Sequence, residues 1–267
     1  MFHINFYKPK NNILAKYIEG YYFISENKDV KNTVYWTYPN NFVVLTCNKN
    51  IDVKIDDHKI YIQTSGFHNI LTSIVPKYTK PIQINYKELV DEVTIYFKPL
   101  GINHFTSNTS QLFSKNINVD FNLFPDFEDK MNEVFHLSLE EKIIVLEDYL
   151  LSKLQKRDFH LLEDIIASIE NNIPIQEIAD YHRISRQYLN RIFKKKVGKS
   201  ISEYRKIHRF RESIAQYKNS KNFTELSHDN YYDQAHFTRI FKELTEIKPN
   251  TFFKNVETEN KNIWLFI

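Results

Sequence analysis

The chain has little cysteine, little glycine and no long apolar run. Cysteine occurs once in 267 residues, as Cys47, which excludes an intramolecular disulfide and fits a reducing compartment. It has no CxxC partner and no neighbouring base, and its apolar run favours a buried structural thiol over an alkyl acceptor or redox nucleophile. Eighteen apolar residues never follow one another, so no membrane-spanning helix is expected. The start, Met1 to Lys8, lacks the apolar stretch of a signal peptide. A cytoplasmic location with no membrane contact is the expectation. His3, His58, His68, His104 and His136 are scattered, with no HxH pair or close His/Glu cluster, which argues against a metal-dependent enzyme in the first half. No catalytic residue, cofactor or metal site is assigned.

What is present is aromatic and unevenly charged. There are 17 Tyr and 21 Phe beside 4 Gly. The length is enough for two domains, each with its own core. Net charge is +3, but it is divided: residues 172–254 hold 17 Lys+Arg against 9 Asp+Glu, a net +8, and the remainder holds 19 against 24, a net −5. A basic module facing a polyanion, joined to a mildly acidic one, accounts for this split.

The basic part repeats itself. Ile178 to Lys194 realigns without a gap on Leu226 to Lys242, and Arg191-Ile192-Phe193-Lys194 recurs as Arg239-Ile240-Phe241-Lys242, 48 residues on. Each copy reads as helix, turn, helix and is too short to bury a core alone. A doubled helix-turn-helix suits reading two major-groove segments of DNA.

Residues 1 to about 100 read as β-rich, with strands expected at Thr33–Tyr38, Phe42–Cys47, Ile51–Ile55, Lys59–Ile62 and Val93–Phe97, and a turn at Pro39-Asn40-Asn41. A small sandwich or barrel follows from this spacing. From Pro99 the pattern turns helical. Ser138 and Glu141 form a capping box, and Leu139, Ile143, Leu146, Leu150 and Leu154 make one apolar stripe. That stripe packs either on its own domain or on a second copy of the chain. Gln155 to Asp158 is the expected boundary, giving domains at 1–155 and 158–254 and a tail at 255–267. A helix over about 159–171 leads into the repeat.

In the second helix of copy one, with Ser185 as N-cap, Tyr188, Leu189, Ile192 and Phe193 are expected inside and Arg186, Gln187, Asn190, Arg191 and Lys194 outside. In copy two, Asp233 caps; His236, Phe237, Ile240 and Phe241 face in; Gln234, Ala235, Thr238, Arg239 and Lys242 face out. Arg can bond guanine O6 and N7, Asn or Gln can pair with adenine, and Ala or Thr can touch the thymine methyl. Ser185, Lys194, Lys195, Lys196 and Lys242 suit phosphates, which position without specifying. The Lys194–Lys196 run also complements the helix dipole. Between the copies, Ser200 and Glu203 open a linker helix to about Tyr217. Ile201, Tyr204, Ile207, Ile214 and Tyr217 would anchor it, with Arg205, Lys206, Arg209 and Arg211 on other faces.

Arg191 to Lys194, Gly198, Tyr204, the block Tyr231-Tyr232-Asp233-Gln234-Ala235-His236-Phe237, then Pro249 and Phe252-Phe253 resemble the AraC/XylS family of bacterial transcription regulators over residues 159–254. The resemblance implies an α+β chain: a cupin-like barrel or sandwich with trailing helices, then an all-α module with two helix-turn-helix units on a linker helix. It further implies a promoter in double-stranded DNA as target, most often activation through RNA polymerase, and a homodimer. The base-facing positions it carries over are Arg186, Gln187, Asn190, Arg191, Gln234, Ala235, Thr238 and Arg239. Departures are Asn230 and Glu246 where Gly is usual, and Ser213 and Ser227 where Ala is usual.

Tyr22, Tyr35 and the other aromatics of the first half read as core; the alternative is a pocket for a small-molecule effector, and no effector site is named. A DNA-targeted enzyme or repair protein with chemistry at Cys47 is the rival reading. The apolar tail Asn262–Ile267 docks as a strand or meets a partner.

Overall fold

The computed structural model describes residues 4–220 and 233–255. Two sheets form the first part. β1 (Phe6–Tyr7), β2 (Ile18–Ile24), β9 (Glu92–Phe97), β4 (Val43–Lys49), β7 (Ile70–Val75) and β10 (Asn118–Val119) lie in that order, antiparallel throughout. The second sheet runs β3 (Asn27–Thr37), β8 (Ile82–Leu89), β6 (Lys59–Thr64), β5 (Ile51–Asp56), with β6 and β8 parallel. All five strands expected from the sequence are among these.

Alternation along each strand sorts side chains to opposite faces. Tyr22, Val44 and Tyr96 of the first sheet meet Tyr35, Ile62 and Tyr86 of the second. Tyr21, Leu45, Cys47, Val93, Ile95 and Phe97 turn the other way, onto α2 (Phe127–Phe135) and α3 (Leu139–Lys153). Covered on both faces, β9 is buried at all six positions. The four-residue α1 (Thr109–Leu112) lies farther up the chain. Burial pushes the Cys47 thiol up to about 12, with Glu128 and Glu92 acting the same way against a Thr72 hydrogen bond. Since the thiolate is the nucleophile, this cysteine is held in its unreactive form.

α3 starts on the expected capping box. Its stripe packs within its own domain: Ile143, Leu146 and Leu150 are buried with Phe127 and Val134. Leu139 departs from the expectation and stays 44% exposed, because as the first helical residue it stands at the open end of the stripe. The carboxylate of Glu147 accepts from the backbone N–H groups of Lys10 and Asn11, both at 2.8 Å, and from the Tyr21 hydroxyl. It ties the N-terminal segment to α3.

After a coil at 154–159 come α4 (His160–Glu170), α5 (Ile175–Tyr181), α6 (Arg186–Val197), α7 (Ile201–Ser220), α8 (Gln234–Thr245) and α9 (Pro249–Asn255). The first helix expected for copy two, with Ser227 and Asn230, lies outside the described residues, as does the tail from 256 onward. The 48-residue repeat is repeated in structure. Ser185 and Asp233 accept N-cap bonds from the N–H groups of Tyr188 and His236. Gly198 and Glu246 close the two helices in the left-handed region, at φ +81° and +63°, each N–H returning to the carbonyl four residues back. Glycine meets this conformation freely and glutamate does not.

Three contacts join the β part to both copies. Asn103 Nδ2 donates to the Lys196 carbonyl at 2.9 Å, and Leu100 enters the core of the first copy. Phe113 lies so close that a Cβ on Gly198 would stand 2.3 Å from its ring. On the other side, Tyr38 enters the core made by α7, α8 and α9, 4.9 Å from the Phe252 ring. One residue past Gly198, Lys199 is fully enclosed, its Nζ without a hydrogen-bond partner among the described residues. Burial draws its ammonium from 10.5 to about 7, against the pull of Glu203.

Two stability predictions follow from these caps. The unfolded chain keeps the Lys199 proton to about pH 10.5 and the folded chain only to about 7, so folding releases a proton between those values and stability declines as pH falls from 10.5 to 7. The position 48 residues on is Ile247, packed against its own core. Lys199→Ile is expected to raise stability at pH 7 by roughly 1–4 kcal/mol and to flatten that pH dependence in urea titrations. Glu246→Gly is expected to add about 1 kcal/mol in the same measurement; a loss would contradict the strained-cap account.

Candidate nucleic-acid interface

α6 and α8 each carry one buried and one bare face. Leu189, Phe193 and Val197 are buried on α6, and Phe237, Phe241 and Leu244 on α8. Spacings of three and four residues make these faces, and the side chains between them point away. Arg186, Gln187, Arg191, Lys194 and Lys195 are exposed on α6; Gln234, Ala235, Thr238, Arg239 and Lys242 are exposed on α8. Ser185, at the head of α6, is exposed with its hydroxyl turned to the Tyr188 N–H.

Two members of the expected outward set have partners of their own. Asn190 is half-buried, and its Nδ2 donates to the Arg186 carbonyl at 3.0 Å. Lys196 is half-buried where the β part docks, its Nζ 5.6 Å from the centre of the Phe159 ring. Burial lowers its pKa, and Lys195 and Arg157 push the same way.

One inward expectation is corrected. Tyr188 is 41% exposed, and the Arg191 guanidinium sits 5.2 Å from its ring centre. Position 188 follows the N-cap by three, where the helix has only just begun and Leu189 already fills the inward direction. Tyr188 therefore belongs to the bare face, stacking under Arg191 and limiting that side chain's freedom.

The cations of the linker helix α7 do something the sequence did not disclose. Arg205 donates to the Ile173 carbonyl at 2.5 Å, and Arg209 to Asn172 Oδ1 at 2.9 Å, both in the α4–α5 connection. Lys206 pairs with Glu243 of α8 at 2.5 Å. Arg211 Nε and Nη2 donate to the carbonyls of Pro39 and Tyr38 at 2.8 and 3.1 Å. Asn41 Nδ2 adds a bond to the Tyr204 carbonyl at 3.0 Å. Each basic residue is thus directed at another part of the protein: copy one, copy two or the β part. The expected anchors Ile201, Tyr204, Ile207 and Ile214 are buried, joined by Phe210, while Tyr217 stacks on Phe253 with ring centres 3.7 Å apart. The Ser200–Glu203 capping box forms as expected.

The turn Pro39-Asn40-Asn41 also has a second role. It is a buried docking element, with Tyr38 and Asn40 at 3% and 2% exposure. The adjoining Tyr-Pro pair was its only signal, since a turn with an aromatic beside it has something to cover. Among the described residues no helix is long and apolar enough to cross a membrane.

Comparison with known proteins agrees with this geometry. Residues 178–255 match the family described as a helix-turn-helix domain. An uncharacterized HTH-type transcriptional regulator, YtdP of Bacillus subtilis (strain 168), is 25% identical over 193 residues, which is 69% of this chain and 24% of that protein. The chain thus spans about a quarter of the length of the curated relative it matches. Two structures of ToxT from Vibrio cholerae are similar with a TM-score of 0.47 each: one is 14% identical and covers 88% of this chain and 96% of that one, and the other, bound to unsaturated fatty acid, is 13% identical and covers 94% and 96%. Residues 178–255 are a helix-turn-helix domain of the AraC type.

Proposed function

We propose that the protein is a sequence-specific transcription regulator whose α6 and α8 enter two successive major grooves of promoter DNA. The observation that carries this reading is the equivalence of the two helices: the same caps 48 residues apart, the same buried spacing, and a bare polar face on each. On one side of B-DNA the two would stand about 34 Å apart, one helical turn. Arg186, Gln187, Asn190 and Arg191, with Gln234, Ala235, Thr238 and Arg239, read base edges. Ser185, Lys194, Lys195, Lys196 and Lys242 meet phosphates; for Lys196 this requires its ammonium to leave Phe159.

Residues 1–155 form the regulatory part and 158–254 the DNA-binding part. The protein works in the cytoplasm as a homodimer, since two modules on repeated half-sites gain affinity through effective concentration. It activates transcription through contact with RNA polymerase. Regulation acts through the docking of the β part on both copies: a ligand that favours one docked arrangement over another shifts the spacing of α6 and α8. Cys47 is a core residue here and takes no part in chemistry.

The test is selection of random duplexes by the full chain, followed by titration of three variants on the winner. Two short enriched motifs about one helical turn apart are expected. Arg191→Ala and Arg239→Ala each cost about 1–3 kcal/mol and relax preference at one motif only. Lys195→Ala weakens binding to every sequence alike and lowers the salt slope. Binding without enrichment, collapsing as salt rises, would mean attraction to phosphates alone and would sink sequence reading.

A further inference from the structure

The two sheets do not close completely on each other. Between them lies a cavity of about 70 Å³ whose wall includes Tyr22, Tyr35, Tyr78, Tyr86, Tyr96 and Glu92. Lys, Arg and His are missing from that wall among the described residues. Its one formally charged group is Glu92, 2% exposed. A carboxylate buried in an apolar domain without a cation needs compensation, and here hydrogen bonds supply it. Tyr22 Oη and Thr94 Oγ1 donate to Oε1 at 2.8 and 2.9 Å; Tyr86 Oη and Asn48 Nδ2 donate to Oε2 at 2.5 and 2.8 Å.

Four donors fill the roughly four lone-pair sites that a carboxylate offers. What Glu92 can still give a ligand is its charge, with no free lone pair to accept an N–H. The tyrosines around it turn ring surface to the space, Tyr35 stacked against Tyr86 with centres 6.0 Å apart and Tyr22 tilted against Tyr96 at 6.3 Å. Negative charge without lone pairs, set among aromatic rings, suits one kind of guest: a cation that has no N–H to donate. From this we infer that the cavity is a binding site for a quaternary ammonium group, held by ring faces and by the field of Glu92. Its size admits a head of about five heavy atoms, well under the benzene-holding cavities of about 150 Å³.

The same wall faces the DNA-binding part. Tyr78 and Tyr96 interact electrostatically with the Arg211 guanidinium, the group that holds α7 to Tyr38 and Pro39. The Tyr78 hydroxyl is buried and has no hydrogen-bond partner among the described residues. A cation in the cavity repels Arg211 across these two tyrosines and so weakens the latch; this step rests on the regulatory reading above, whereas the binding site does not.

The test compares tetramethylammonium with tert-butanol, a neutral molecule of nearly the same shape, by calorimetry on the full chain. Tetramethylammonium is expected to bind at least roughly tenfold more tightly, and Glu92→Gln to abolish the difference. Equal affinities, or no tetramethylammonium binding, would overturn the site; because this comparison uses the unmodified protein, it stands even where the Glu92 variant fails to fold. Titrating the selected duplex in tetramethylammonium chloride and in sodium chloride of equal ionic strength separates the two claims. A shift in DNA affinity supports the link through Arg211, and calorimetric binding without such a shift overturns that link while leaving the site.

Discussion

A guanidinium removed from water must place its N–H donors on protein oxygens, and the arrangement of this molecule turns on how Arg211 does so. Its partners are the carbonyls of Tyr38 and Pro39, at a turn of the β part that would otherwise leave those oxygens buried beside an apolar helix. Removing either side strands a polar group in the interior, at a cost of about 1–3 kcal/mol or more where the group is charged. The contact therefore holds only in one register. Around it Tyr38 fills the core of α7, α8 and α9, and Asn41 reaches the Tyr204 carbonyl. Asn103 and Phe113 fix the same β part to the end of α6. Both recognition-helix candidates are thus referred to one rigid body.

The second constraint is the repeat, which imposes one local solution at two places of different chemistry. The C-cap needs a left-handed residue; Gly198 supplies it freely, and Glu246 adopts it under strain. The residue after the cap must enter a core; Ile247 does so at ease, whereas Lys199 enters as an amine with its charge suppressed. Each copy is strained at a different position. The strained groups lie at the base of the helices, clear of the exposed faces, so that stability and reading of DNA can be altered separately.

The helices and their caps were legible because they are written in local patterns. Ser138 with Glu141, Ser200 with Glu203, Ser185 and Asp233 all cap as their side chains demand. Strands with clean alternation, such as Ile51–Asp56, were legible for the same reason. β2, β7 and β8 were not singled out, since Ile18–Ile24 and Ile82–Leu89 mix aromatics, charge and glycine and draw their burial from strands far along the chain. Tyr188 was misplaced because an aromatic on a helix looks like core until its neighbour Leu189 is seen to occupy that direction. The basic residues of α7 gave no hint of their targets: Arg205, Arg209 and Arg211 end on backbone carbonyls or an amide 32 to 172 residues away, and backbone acceptors carry no sequence signature. The cavity beside Glu92 was equally hidden, because its four donors come from four strands, β2, β4, β8 and β9.

The central claim is that the β part, through Arg211, holds α6 and α8 in one fixed relation. Pulsed electron–electron resonance between spin labels at Gln187→Cys and Thr238→Cys, both exposed sites, in a Cys47→Ser background, measures that relation directly. The account predicts a single narrow distance distribution that broadens when Arg211→Ala is added. A distribution already broad with Arg211 in place, or one that Arg211→Ala leaves unchanged, would contradict it.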